Sequence, residues 1–214
     1  MSALSLTRSA FVAALMGFSL FAAAGPAHAA RNQEAEAYVQ TNASAALQAL
    51  RSASRSERIS TFTSLMRRFS DMPRIASFVL GRYGMQLRSD PALRSEWNSA
   101  FQSYAIASYE TQLTRYSANE IQVVGSIERV PGRDVIVRSQ IEQGSGQRPS
   151  IVEWRLLKTS AGWKVVDVSL VIDGSQIWLA QQQQSEFLAA LDRLNGDIRA
   201  LIAELEQRTA QMRS

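Results

Sequence analysis

The chain has 214 residues, 46% of them hydrophobic, a formal net charge of +4, no cysteine and a single histidine, His28. Chemistry built on a thiolate, an imidazole base or an ordinary zinc or haem site therefore has almost nothing to work with. The mild basic excess is dispersed, with no Lys/Arg run interleaved with aromatics, which argues against a nucleic-acid platform and for a protein that binds and carries.

The first 29 residues read as a secretory leader. Arg8 supplies the positive start, Ala10 to Ala24 form a short apolar stretch, and Gly25-Pro26 breaks it ahead of the small-x-small pattern Ala27-His28-Ala29. The expectation is export, cleavage near Ala29 and one domain over 30–214. An export compartment without disulfides suits a bacterial periplasm, because a chain of this length buries enough surface without them.

Next come helices. Gln33 to Leu50 is loosely helical, and Ser56 to Phe69 places Ile59, Phe62, Leu65, Met66 and Phe69 at helical spacing. Asp71 caps a short helix with Pro73 in its first turn, ending at Gly81, and Asp90-Pro91 starts a longer one to about Ser117. On that helix Trp97, Phe101, Tyr104, Ser108 and Gln112 form one stripe, with Tyr109, Leu113 and Tyr116 beside it. From Ile121 the pattern turns to β-branched runs: Ile121 to Val130, Asp134 to Gln143, Ser150 to Thr159 and Trp163 to Ile172. The breaks at Pro131-Gly132, Gly144-Ser145-Gly146 and Ala161-Gly162 suit hairpins and predict a four-stranded antiparallel meander. Gly125 inside the first run marks a bulge or a widening, the bulge being favoured. After Asp173-Gly174-Ser175, one long helix is expected from about Gln176 towards Arg208, bent at Gly196, with Gln181 to Gln184 facing solvent. The fold class is α+β, with N-terminal helices and a long C-terminal helix packed on a curved antiparallel sheet.

Several segments, in order and spacing, resemble the MlaC/toluene-tolerance auxiliary family. They are Ile75-Ala76-Ser77-Phe78-Val79-Leu80-Gly81-Arg82-Tyr83, Trp97-x-x-x-Phe101, Tyr109 to Tyr116, Val152-Glu153-Trp154-Arg155-Leu156, Gly162-Trp163-Lys164-Val165-Val166-Asp167-Val168, Asp173-Gly174-Ser175 and Ser185-Glu186-Phe187. The resemblance implies a periplasmic phospholipid carrier on a cystatin- or nuclear-transport-factor-2-like roll. Its implied partners are a membrane lipid, an inner-membrane ABC transporter complex and an outer-membrane lipoprotein complex. A monomer without cofactor or metal is expected, and a hopanoid is an alternative cargo through one branch of the family. The chain departs from the family in a longer step from Asp167 to Gly174, in Gln181 to Gln184 where a basic residue is common, and in Gly84-Met85 where aromatics are common.

Carriage needs a dry cavity, because each buried acyl methylene is worth about 0.8 kcal/mol and two chains on the order of 20 kcal/mol. Candidate wall residues share a strand face, Ile121, Val123, Ile127, Val135, Val137 and Ile141, joined by Phe78, Val79, Phe101 and Leu156. The same residues serve equally to fill an ordinary core. Arg82, Arg88 and the Tyr83 hydroxyl are candidates for a phosphate at the mouth. Trp163 and Asp167 read as structural, the carboxylate bonding nearby backbone. Two other classes compete: an enzyme pairing Asp167 with Tyr104 or Tyr109, which requires a raised carboxylate pKa in a closed pocket, and a protein-binding module with an exposed apolar patch.

Overall fold

The computed structural model describes residues 31–114, 120–142, 149–172 and 175–214. The expected leader with His28, Tyr116 and Ser117, the Gly144-Ser145-Gly146 segment and Asp173-Gly174 lie outside the described residues. No described helix is long and apolar enough to cross a membrane.

Helix starts follow local side-chain chemistry. Helices α1 (Gln33–Ala49), α2 (Arg55–Phe69) and α3 (Met72–Val79) are capped by Asn32, Ser54 and Asp71, whose side chains accept from the backbone N–H three residues on. A 3-10 turn (Gly81–Met85) and the short α4 (Gln86–Ser89) lead to α5 (Pro91–Thr114), where Asp90 Oδ1 accepts from Leu93 N at 2.8 Å. Strands β1 (Ile121–Val130), β2 (Asp134–Ile141), β3 (Ser150–Thr159), β4 (Gly162–Ile172) and β5 (Ser175–Trp178) form one antiparallel sheet in sequence order. Two helices end the chain, α6 (Leu179–Arg193) and α7 (Ile198–Arg213).

The sheet thus has five strands, not four. The fifth lies where the start of the last helix was expected. That helix is also divided: Asn195 and Gly196 both adopt positive φ (52° and 78°), and Gly196 N closes α6 on Leu191 O at 2.7 Å. The apolar spacing Leu191, Leu194, Ile198, Leu201 runs through the break unchanged, so periodicity alone reads one helix where two left-handed residues make two. Gln183, expected in solvent, is buried on α6.

The pairing of β1 with β2 shifts between Val123 and Gly125, the bulge expected at the glycine. Because side chains alternate, the extra residue turns the rest of the strand over. Ser126 is buried and Ile127 is 53% exposed, so Ile127 does not share the inner face with Ile121.

Two apolar cores result. The helical core gathers α3, α5, α6 and α7 around Trp97, Phe101 and Phe187, whose rings meet at 5.8–6.2 Å, with Trp97 Nε1 donating to Ala76 O at 2.8 Å. Each such fully buried side chain is worth roughly 1.5–3 kcal/mol. The sheet core sets the inner face of β1–β4 (Val135, Val137, Val152, Leu156, Val165) against α1 (Ala35, Val39, Ala43, Leu47). The opposite sheet face carries cross-strand ion pairs, Arg138 with Glu153 at 2.6 Å and Arg155 with Asp134 at 2.9 Å.

Candidate functional site: an apolar cavity between two cores

The cavity lies along the seam where the helical core meets the sheet core. The sheet contributes Ile121, Ile141, Val152, Trp154 and Leu170, and α1 contributes Ala43, Ala46 and Leu47. Met66 and Phe69 of α2, Ile75 of α3, Tyr109 and Leu113 of α5, and Leu179 and Ala180 of α6 close the other sides. Its space is about 50 Å³. An apolar hole holding one benzene needs about 150 Å³, so the space is narrow.

The α2–α3 junction is pinned to the sheet on one side of the cavity. Asp71 N donates to Val165 O at 2.9 Å, and Tyr38 OH donates to Phe69 O at 3.1 Å. On the other side, α6 has no capping side chain of its own. Asp167 of β4 supplies one: its Oδ1 accepts from Ala180 N at 2.9 Å and from its neighbour Val168 N at 2.8 Å. That is the backbone-bonding role expected of Asp167, and it holds the start of α6 on the sheet.

Asp167 also lines the cavity, together with Tyr109. Burial pushes the Asp167 carboxyl above its usual value, against the lowering effect of the two N–H groups and Arg155. Burial likewise raises the Tyr109 phenol, and the Asp167 and Tyr104 charges add to it. The structure therefore places Asp167 and Tyr109, one of the two pairs a catalytic reading offered, on the same cavity. Asp167 Oδ1 is already committed to two backbone donors, and the surroundings are apolar side chains.

The sequence-predicted site residues separate into groups. Ile141 lines the cavity, as does Ile121 of the wider wall set. Val135, Val137 and Leu156 are fully buried on the same sheet face, in the sheet core, with Val123 packed at its edge. Val79 and Phe101 are buried in the helical core, and Phe78 is 44% exposed. Arg82 and Tyr83 lie away from the cavity, and both bond the Asp192 carboxylate of α6. Trp154, Met66, Leu113 and Leu179 were not singled out for the wall; Leu113 and Tyr109 carried a signal, the second stripe on α5.

The sequence profile of the MlaC protein family matches residues 38–207, which reach from within α1 to within α7. The chain belongs to the MlaC family. A solved structure, the phospholipid-binding protein from Ralstonia solanacearum in complex with a phospholipid, superimposes with a TM-score of 0.70 at 21% identity. The match covers 85% of this chain and 99% of that one, and at that identity it shows a shared fold. No curated protein sequence matches. Within the MlaC family frame the apolar seam of this chain is its candidate ligand site.

Proposed function

We propose that this MlaC-family chain is an exported lipid carrier without a catalytic step. In this reading residues 1–29 are a leader removed on entry to the periplasm, and 30–214 form one lipid-binding domain. The domain takes phospholipid between the outer and inner membranes, through an outer-membrane lipoprotein complex and an inner-membrane ABC transporter, and so maintains the asymmetry of the outer membrane. It works as a monomer.

The observation that carries this reading is the seam itself: an almost wholly apolar cavity bounded by two separate cores. Interiors are otherwise close-packed, so an apolar gap between two cores is where a ligand chain has room to enter. Ligand pockets for drug-sized molecules span roughly 300–1,000 Å³, so loading an acyl chain requires the helical layer to move off the sheet. As it moves, the chains lie against Ile141 and Trp154, then against Val137, Val135 and Leu156 of the same face. The enclosed cavity favours a lipid over a protein segment, which would need an open groove.

Replacing a wall residue that faces the cavity tests this. Leu113→Trp fills the space from α5, where the side chain is only half-buried. We expect phospholipid recovered from vesicles to fall at least about ten-fold with the circular dichroism spectrum unchanged. Undiminished loading of the folded variant removes the cavity as the lipid site.

A further inference from the structure

The sequence holds one Asn-Gly pair, Asn195-Gly196, and the fold sets it at the break between α6 and α7. The two residues are held differently there. Asn195 is exposed at φ +52°, and its side-chain amide makes no hydrogen bond among the described residues. Gly196 is fixed: its N–H closes a six-to-one ring on Leu191 O at 2.7 Å, and an added Cβ would lie 2.8 Å from the Tyr83 ring. On either side of the pair, Leu194 N donates to Ala190 O at 3.0 Å and Asp197 N to Leu194 O at 3.1 Å. Asp197 Oδ1 in turn caps α7 by accepting from Ala200 N at 3.1 Å.

Asparagine is chemically labile, and most so before glycine, whose amide nitrogen has no side chain to shield it. Gly196 N attacks Cγ of Asn195. The N–Cγ bond forms as the Cγ–Nδ2 bond breaks, and the amide proton leaves with Nδ2 as ammonia. Water then opens the cyclic imide at either carbonyl, giving aspartate or isoaspartate. In this chain the electrophile lies open to solvent and the nucleophile does not. Gly196 N reaches its neighbour's side chain only if the bond to Leu191 O breaks and the backbone leaves the Tyr83 ring. Leu191 and Ile198, which flank the break, are buried in the helical core, so this is a local opening and not a side-chain rotation.

We propose that Asn195 is a deamidation site latched by the α6–α7 cap, reacting only in molecules whose cap has opened. Neither product restores the cap. Isoaspartate adds a methylene to the main chain inside the ring that Gly196 N closes. Aspartate puts a carboxylate at the negative end of α6, near Asp192 and Asp197 in the chain. Each opening that ends in reaction therefore leaves the α6–α7 boundary looser than before. The latch belongs to the helical layer and holds whether or not the seam carries lipid.

The whole protein is incubated in mildly alkaline buffer, folded and in urea, and the tryptic peptide spanning residues 194–199 is weighed for the exchange of amide for acid. The unfolded chain should convert about ten-fold faster or more than the folded one. Hydrogen–deuterium exchange at the Gly196 N–H, read by nuclear magnetic resonance, should be slowed about ten-fold or more in the folded chain, since the same bond guards both. Asn195→Gln, whose longer side chain disfavours ring closure, should abolish conversion of this peptide. Folded protein aged until part of it has reacted should yield a converted fraction with a lower urea midpoint. Equal conversion in folded and unfolded chains, or a freely exchanging Gly196 amide, would overturn the latch. An unfolded chain that leaves Asn195 intact would overturn the site itself, and an unchanged midpoint in the converted fraction would show that the product keeps the cap.

Discussion

Asp167 carries two burdens. It caps a helix that has no cap of its own, and it does so as a carboxylate against an apolar cavity. Burial raises its folded-state pKa, so the folded chain binds the proton more tightly than the unfolded chain. Below the unfolded value of about 3.8 both states are protonated and the group costs nothing. As pH rises from there through the folded pKa, the stability difference is lost, and at neutral pH the ion is a net burden. Asp167→Asn keeps an oxygen for Ala180 N and Val168 N without the charge. It should match or exceed the unmodified protein in thermal stability at pH 7, with the advantage shrinking towards pH 3. Asp167→Ala loses the cap and should destabilise by about 1 kcal/mol. Urea titrations of both variants across this range check the sign. A destabilised Asp167→Asn would mean that the charge itself holds α6.

Among elements, the break between α6 and α7 sets the wall of the helical core. Gly196 at φ +78° approaches Tyr83 so closely that an added Cβ would lie 2.8 Å from the ring. Gly196→Ala should therefore destabilise by more than ~1 kcal/mol, read as a lowered urea midpoint, from backbone strain together with displacement of the Tyr83 ring. An unchanged midpoint would show that the ring yields freely. The same element explains what was legible beforehand. Capping residues Asp71 and Asp90 announced their helices, and the β-branched runs announced four strands, because both signals are local. The division at Asn195-Gly196 and the four-residue β5 were hidden, since apolar spacing crosses the first and the second is too short to show a period. The cavity was hidden for another reason: alternation along β2 tells that Val135, Val137 and Ile141 face inward, but not which of them meets a filled core and which meets the seam. Arg82 and Tyr83, expected with Arg88 at a phosphate-binding mouth from their position after Phe78 to Leu80, both bond Asp192, a partner far along the chain that no local pattern shows.

At the scale of the whole molecule, the proposed function rests on two cores and the apolar seam between them. Helical and sheet layers are each closed by their own aromatics, Trp97, Phe101 and Phe187 on one side, Phe69 and Trp154 on the other. Trp154 lines the cavity, so lipid entry should shift its emission as acyl chains come into contact with the ring. Trp154→Phe should abolish most of that shift while leaving loading within about two-fold of the unmodified protein. A shift that survives the substitution would locate the change elsewhere. The central claim, that the seam holds a lipid, is tested most directly by native mass spectrometry of the protein purified from the periplasm, beside its Leu113→Trp variant. The account predicts a bound lipid mass near one per chain in the unmodified protein and a bare chain in the variant. A bare chain in both, unchanged after incubation with phospholipid vesicles, would contradict it.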